Sequence, residues 1–228
     1  MSGLLLVAAG GLAREVLVAV RASRAFVGDL RVLDDAPQTW GGELNGVPVA
    51  GGLEEVKRYE GHEIVVCAGR GTVRRDLVAR LSELGVTPER YATVVHPSVQ
   101  VPPSCEVGRG SVLLAGVALT ADVHVGDHVV AMPNVTLTHD DHVSDYATLC
   151  SGVSLGGTVR VGTAAYLGMN AAVREGLSLG EESVLGMGSV LLADLPDAET
   201  WAGVPARRLT RTASASGSVP TASQERTA

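Results

Sequence analysis

An aliphatic residue recurs every six positions through the second half of the chain. From Val95 to Leu191, sixteen of the seventeen positions in this phase are Val or Leu, and the exception is Ala131. Four places further on, most repeats carry a small or β-branched residue, and glycine often follows the aliphatic residue directly. A period of six differs from the 3.6 residues of a helix and from the alternation of a single strand. It is the hexapeptide repeat of a parallel β-helix, in which three short strands form one coil of about 18 residues.

The first 92 residues instead alternate short apolar runs with helical patterns. The apolar runs predict strands over 4–8, 30–33 and 64–67, and the apolar spacing predicts helices over 13–22 and 72–84. Alternating strands and helices are typical of a small parallel α/β sheet, here Rossmann-like. The second helix is expected to bury one apolar face, which is made of Val73, Leu77, Leu81 and Leu84.

These patterns divide the chain into three parts. We expect an α/β domain over 1–92, a β-helix over 93–210 and a disordered tail over 211–228, where Ser, Thr and Ala dominate without an apolar period. No apolar run approaches the roughly 20 residues of a transmembrane helix, so no membrane association is expected.

Composition and charge narrow the function classes. The 228 residues include 28 Gly and only 3% aromatics, which suits a repetitive stack of small side chains. The net charge of −7 argues against a nucleic-acid partner, because such proteins depend on basic contacts to phosphates. Three widely spaced cysteines, Cys67, Cys105 and Cys150, predict a reduced, cytoplasmic protein without a disulfide framework.

Two short motifs in the α/β domain are candidates for ligand binding. Gly10 and Gly11 follow the first strand, where a glycine turn and a helix N-terminus can receive a phosphate. Asp34 and Asp35 end the second strand, at the place where Rossmann-like sheets bind ribose hydroxyls. The alternatives are a tight turn without a ligand for the glycines, and helix capping or turn formation for the aspartates.

His139 and Asp140 are the candidate catalytic pair inside the repeat. Histidine is the commonest general base in proteins, and a neighbouring carboxylate stabilises the imidazolium that forms. Both residues follow the core residue Leu137, in a turn whose side chains need not fill the coil. The alternative is a solvated turn that is rich in Asp and His.

The other histidines of the repeat raise the question of a metal. His124 and His142 are separated by one coil, so they occupy the same place on successive coils, about 4.8 Å apart. With His128 nearby, a zinc-dependent hydratase on the same coil is an alternative function. We favour an exposed ladder of turn side chains and expect no metal.

Taken together, the motifs resemble the sugar O- and N-acyltransferase family of left-handed β-helix proteins, which includes sialic acid O-acetyltransferase and UDP-4-amino-sugar N-acetyltransferases. The resemblance covers the chain from Leu4 to about Leu209 and combines the repeat with an N-terminal nucleotide-type domain. The matching segments are Gly10-Gly11-x-Ala13-Arg14-Glu15-Val16, Leu33-Asp34-Asp35, His139-Asp140-Asp141-x-Val143-x-Asp145, Leu167-Gly168, Gly186-x-Gly188-Ser189-Val190 and Gly203-Val204-Pro205-Ala206.

This resemblance implies a set of roles. His139 would be the general base that deprotonates an acceptor amine or hydroxyl, and Asp140 would raise its basicity. The co-substrate would be an acyl-CoA, most simply acetyl-CoA, and the acceptor a sugar or nucleotide-linked sugar, bound between the subunits of a homotrimer. The residues implied for acyl-CoA are Thr148, Gly157, Gly168 and Met169. Those implied for the acceptor are Gly10, Gly11, Leu12, Asp34, Asp35 and Gly69.

Three positions depart from the family pattern. Leu12 stands where the family usually has His, Thr148 stands where relatives often carry a second histidine, and Ser144 replaces a repeat glycine. These departures leave acyl transfer intact and leave the acceptor open, so that a natural product is an alternative to a nucleotide-linked sugar.

Overall fold

The computed structural model describes residues 3–23 and 28–210. The predicted tail over 211–228 lies outside the described residues. Within them, a small α/β sheet is followed by a three-sided solenoid of short parallel strands. No helix in this part of the chain is both long enough and apolar enough to cross a membrane.

The N-terminal sheet has five strands in the order β3-β4-β2-β1-β5, and all neighbours are parallel except β3 and β4. The sequence patterns missed the β3–β4 hairpin, although Asn45 and Gly46 at its turn both have positive φ and form a recognised hairpin signal. The elements are β1 (Gly3–Val7), α1 (Gly11–Ser23), β2 (Leu30–Leu33), β3 (Glu43–Leu44), β4 (Val47–Gly51), β5 (His62–Val66) and α2 (Gly71–Glu83).

The second part is the predicted left-handed parallel β-helix. Its three faces are named here in the order in which the chain visits them. Face 1 contains β6 (Val94–Val95), β8 (Val112–Leu113), β11 (Val130–Ala131), β14 (Thr148–Leu149), β17 (Tyr166–Leu167), β20 (Val184–Leu185), β22 (Thr200–Ala202) and β23 (Arg207–Arg208). Face 2 contains β9 (Ala118–Leu119), β12 (Thr136–Leu137), β15 (Ser154–Leu155), β18 (Ala172–Val173) and β21 (Val190–Leu191). Face 3 contains β7 (Glu106–Val107), β10 (His124–Val125), β13 (His142–Val143), β16 (Arg160–Val161) and β19 (Ser178–Leu179).

The aliphatic residues of the six-residue period fill the interior of this β-helix. Leu113, Ala131, Leu149 and Leu167 stack inside face 1 with no exposed surface, one above the other on successive coils. Ala131, the exception in the repeat, is therefore a core residue like its neighbours. Each face meets the next at a corner, which we call corner 1–2, 2–3 or 3–1. The fourteen successive corners from Gly110 to Gly188 each turn through a residue with positive φ.

The α/β sheet docks on the outside of face 1. Helix α1 buries Leu12 and Val16 in one apolar cluster with Val112, Leu114 and Val130 of the β-helix. Removing these aliphatic side chains from water holds the two parts together.

A buried arginine completes the contact between the two parts. Arg74 of α2 has no exposed surface, whereas Val73, predicted to face the core, is 45% exposed. The Arg74 guanidinium donates to the carbonyl oxygens of Ala68 and Gly69 on one side and of His128, Tyr146 and Ala147 on the other, at 2.6 to 3.1 Å. Leu77, Leu81 and Leu84 pack in an apolar cluster as predicted, and the prediction was wrong for Val73 alone. The start of the helix packs against backbone carbonyls, which need hydrogen-bond donors rather than apolar groups.

The first residue of α2 approaches the β-helix more closely than any side chain allows. A Cβ on Gly71 would collide with the carbonyl oxygen of Tyr146 and would lie 3.0 Å from the Cα of Ala164. Both obstacles are backbone atoms, so the helix as a whole would have to move.

We therefore expect Gly71→Ala to destabilise the protein by about 1–3 kcal/mol, the usual cost of overpacking. Alanine is the better helix former by about 1 kcal/mol, so helix propensity alone predicts the opposite sign. The measurement is chemical unfolding of both forms. Gly61→Ala is the matched control, because a Cβ there meets nothing within 4 Å, and equal stability of Gly71→Ala and the wild type would contradict the close approach.

Candidate active site

His139 and Asp140 lie together at corner 2–3, directly after β12. The Nδ1 atom of His139 is 2.8 Å from Oδ2 of Asp140, and both side chains are more than half exposed. Asp140 is the corner residue with positive φ, at 61°. With a proton on Nδ1 that is donated to the carboxylate, the opposite ring nitrogen, Nε2, is free to accept a proton from outside.

Gly157 lies under the His139 ring on the following coil. A Cβ at Gly157 would collide with the Cε1 and Nε2 atoms of the ring. Only glycine therefore allows the imidazole to lie across the next turn of the β-helix. The structure brings this predicted acyl-CoA residue next to the predicted base.

Asp141, which the sequence analysis did not single out, is buried beside the pair with 1% of its surface exposed. Its carboxylate accepts hydrogen bonds from the backbone N–H of Thr138 at 2.8 Å and of Val159 at 2.9 Å. Burial raises the pKa of this carboxyl to about 6, and the two hydrogen bonds offset only part of that effect. The signal that would have found it is the repeat itself, since an aspartate interrupts a series of small or β-branched core positions.

Gly168 and Met169, the other residues implied for acyl-CoA, lie at corner 1–2 rather than beside His139. Met169 is 49% exposed and stacks below Met187 of the next coil, which is 71% exposed. Gly168 is buried, and a side chain there would collide with the backbone of Met187. Within one subunit, face 2 separates these residues from His139.

Thr148, a further residue implied for acyl-CoA, is also buried. It has no exposed area, and its hydroxyl donates to the carbonyl oxygen of Gly69 at 2.9 Å and accepts from Arg74 at 3.0 Å. The expectation that Thr148 contacts acyl-CoA is corrected accordingly: its side chain belongs to the junction between the α/β sheet and face 1.

The implied acceptor residues Gly10, Gly11 and Gly69 gather at the carboxyl ends of the parallel strands. Gly10 and Gly11 are exposed, and open space surrounds the position of a Cβ at each of them and at Gly69. A cleft of about 320 Å³ opens next to this edge and is bordered by Ala9 and Arg14. The edge therefore offers room for a ligand.

The carboxylates of the two aspartates at the same edge bind other groups of the protein. Asp34 accepts from the backbone N–H groups of Ala9 at 2.6 Å and Ala36 at 2.8 Å. Asp35 accepts from the N–H of Leu53 at 3.2 Å and pairs with Arg80 at 2.7 Å. The turn-forming alternative thus describes their contacts in this structure.

Leu12 does not face this edge. It is 7% exposed and packs in the apolar cluster under α1. The expectation that Leu12 contacts the acceptor is corrected, because an aliphatic side chain at this helix position gains more from the core than from a polar cleft.

The three histidines considered for zinc do not converge. His124 and His142 stack on face 3 with ring centroids 4.6 Å apart, and His124 contacts Glu106 at 3.1 Å. His128 is buried at corner 3–1, where it stacks on Tyr146 and burial lowers its pKa to about 4. In the described ranges, no group of three or more His, Cys, Asp or Glu residues is arranged to hold a metal ion.

Of three comparisons with known proteins, the one with solved structures gives strong matches and the other two give none. Neither the protein-family models nor the curated proteins contain a match to this chain. Among solved structures, the acetyltransferase domain of PglB from Neisseria gonorrhoeae is 30% identical, with a TM-score of 0.83 over 91% of this chain and 99% of that one. The chain belongs to the sugar acyltransferase family of left-handed β-helix proteins. It is an acetyltransferase.

Two further solved structures match this chain over a similar share of its length. PerB from Caulobacter crescentus, solved in complex with CoA and GDP-perosamine, is 30% identical, with a TM-score of 0.82 over 91% of this chain and 97% of that one. WeeI from Acinetobacter baumannii is 25% identical, with a TM-score of 0.81 over 92% of this chain and all of that one. The similarity of this sugar acyltransferase to its relatives therefore includes both the α/β sheet and the β-helix.

The raised pKa of Asp141 predicts how the stability of this acyltransferase depends on pH. A carboxyl group whose pKa is about 6 when folded and 3.8 when unfolded binds its proton more tightly in the folded state. Its stabilising contribution is therefore full below pH 3.8 and is lost as the pH rises through 6. Relative to Asp141→Asn, which does not titrate, we expect the wild type to gain about 2–3 kcal/mol between pH 7 and pH 4. Urea unfolding of both proteins at the two pH values tests this, and parallel pH dependences would show that burial does not perturb the group.

Proposed function

We propose that this enzyme transfers the acetyl group of acetyl-CoA to the amine of a nucleotide-linked sugar, with His139 as the general base. The observation that carries the proposal is the exposed His139 ring, held by Asp140 at 2.8 Å and lying on Gly157. Two relatives support the choice of substrates: the PglB domain was solved with acetyl coenzyme A, and PerB with CoA and GDP-perosamine.

The pair has the properties that the reaction needs. Acetyl-CoA supplies a thioester carbonyl that is activated for attack. His139 accepts the amine proton at Nε2 while the amine nitrogen bonds to the carbonyl carbon. The carbon–sulfur bond then breaks, and the departing thiolate takes this proton from Nε2, which restores the neutral imidazole. The Asp140 carboxylate accepts a hydrogen bond from the Nδ1–H group of His139 and thereby stabilises the imidazolium. A positioned base of this kind contributes roughly 10²–10⁴-fold to the rate.

Direct transfer requires no nucleophile from the protein. Cys150, which directly follows β14 on face 1, is buried with 3% of its surface exposed, and burial raises the pKa of its thiol. A thiol with a raised pKa is a poor nucleophile at neutral pH. These properties support a single displacement over a covalent enzyme intermediate.

The acceptor site in this proposal is the open edge of the α/β domain, residues 1–92. Arg14 borders the cleft at this edge, whereas Arg70, which follows Gly69, borders a separate cleft against face 1. In the described ranges, the Arg14 guanidinium has no hydrogen bond or ion pair to another residue, and a free guanidinium suits a phosphate of a nucleotide-linked sugar. Gly10, Gly11 and Gly69 leave the backbone open to the same ligand.

The catalytic site in this proposal lies between subunits of a homotrimer. His139 occupies corner 2–3, whereas the exposed Met169 and Met187 occupy corner 1–2, so one subunit does not bring base and acyl-CoA surface together. A neighbouring subunit that presents its corner 1–2 to His139 completes the site. Closed cyclic symmetry also shields the solenoid faces that a monomer exposes.

The first test of this function is the rate of acetyl transfer by His139→Ala with acetyl-CoA and nucleotide-linked amino sugars. We expect turnover to fall roughly 10²–10⁴-fold with little change in the KM for acetyl-CoA, because the lost interaction is made in the transition state. Asp140→Asn should lose less, since the histidine remains.

His124→Ala and His142→Ala are the controls, because both residues lie on face 3 away from the pair. We expect each to retain near-normal activity. If His139→Ala is fully active while a face 3 variant is not, the base assignment is wrong, and bound zinc in the purified protein would then favour the hydratase. Transfer to non-nucleotide amines alone would favour a natural-product acceptor.

The proposed homotrimer has a defined molecular mass that can be measured in solution. Light scattering at micromolar concentration should give three times the 23.4 kDa of one chain. A monomer would contradict the proposed site between subunits, since no single subunit would then contain it.

A further inference from the structure

We infer that Asp141 is a positioning residue, whose buried carboxylate holds the His139 ring in its place over Gly157. The inference deepens the proposed function and rests on it, since it concerns the same base. Asp141 does not touch any reacting atom, because its side chain points into the coil while His139 points out. Its role is exerted through the turn that carries the base.

A backbone N–H just before the base leaves the regular hydrogen-bond ladder of the β-helix. At the end of the face 2 strands, the N–H groups of Thr120 and Gly156 donate to carbonyls of the next coil at 3.2 and 2.9 Å. The equivalent N–H of Thr138 donates instead to Oδ2 of Asp141, and the Thr138 hydroxyl takes over the carbonyl of Leu155 at 3.0 Å. The chain is thereby turned out of the ladder one residue before His139.

The strand register shows the same local change. The strand β12, which precedes His139, pairs with β15 at a single residue pair, Thr136 with Ser154. The neighbouring pairs on face 2, β9 with β12 and β15 with β18, each have two. The departure from regular geometry is therefore confined to the coil step that carries the base.

The second oxygen of the carboxylate reaches the coil that lies under the base. Oδ1 of Asp141 accepts from the N–H of Val159 at 2.9 Å, two residues after Gly157. One side chain thus holds the backbone on both sides of the contact between the His139 ring and Gly157. This fixes the height and the tilt of the ring over the glycine.

The position of Asp141 in the repeat shows that folding alone does not require it. The equivalent residues on the other coils are Cys105, Val123, Val159 and Leu177, all of them buried. An ionised carboxylate in this core stack costs stability that an aliphatic residue would not cost. The aspartate occurs on the coil that carries His139, which is where a rigid turn would serve the reaction.

The test replaces Asp141 by the residue of the neighbouring coils. In Asp141→Val we expect an unfolding midpoint at pH 7 no lower than that of the wild type. The Gly157 Hα resonances, shifted upfield by the ring current of His139, should move towards their ordinary position, and kcat should fall about 10–100-fold with the KM for acetyl-CoA unchanged. Asp141→Asn keeps one acceptor oxygen, so its loss of kcat should be smaller, about 3–10-fold.

Asp127→Asn is the matched control. Asp127 also accepts a backbone N–H, that of Arg109 at 2.7 Å, but at corner 3–1. We expect it to leave the Gly157 resonances and kcat as they are in the wild type.

The NMR measurement separates failure of this inference from failure of the proposed function. Gly157 resonances that stay unchanged in Asp141→Val would overturn the positioning role, whatever the activity. Changed resonances with an unchanged kcat, while His139→Ala is impaired, would also overturn it, because the reaction would not need the position. If His139→Ala itself keeps full activity, the proposed base is wrong, and the inference falls with it. If Asp141→Val does not fold, the same resonances in Asp141→Asn decide.

Discussion

The structure depends on one constraint, the requirement that each coil of the β-helix pair in register with the next. The 18-residue step is seen directly in pairs such as His124 with His142 and Val130 with Thr148. Because backbone hydrogen bonds must be made on all three faces at once, an insertion inside a coil would displace every later strand. With this regular step, Val and Leu residues stack in the interior, and residues with positive φ recur at the corners. The same step places Gly157 under His139.

A second interaction attaches the α/β sheet to the β-helix. It is made by the buried guanidinium of Arg74. It donates to carbonyl groups on both parts and is paired with no carboxylate in the described ranges. Burial lowers the pKa of Arg74 to about 10, which leaves the group charged at neutral pH and its donors available. The open strand edge at Gly69 is thereby attached to the same solenoid that carries the candidate base, so the proposed acceptor site and the proposed catalytic site share one support.

Polar groups at the candidate site are arranged at some cost to stability. Asp141 has a carboxylate where the other coils have apolar groups, and His139 lies against a glycine that contributes no side-chain packing. Such departures from the repeat are expected at functional positions, where precise placement is selected over the most stable packing. The ladder on face 3 differs, because His124 and His142 stack regularly and follow the coil register without disturbing it.

The sequence by itself determined the β-helix, its core residues and the His139–Asp140 pair, because these depend on a short period and on neighbours in the chain. It also indicated β1, β2, β5 and the two helices of the α/β sheet to within a few residues, but not the β3–β4 hairpin. Only the tertiary structure decided the contacts of Arg74, Thr148, Leu12 and Asp141. The β-helix carbonyls that accept from Arg74 lie 54 to 73 residues further along the chain, and a backbone carbonyl has no signature in the sequence. Which polar side chain is buried against such groups is therefore settled by how the two parts dock, and not by the pattern of either part alone.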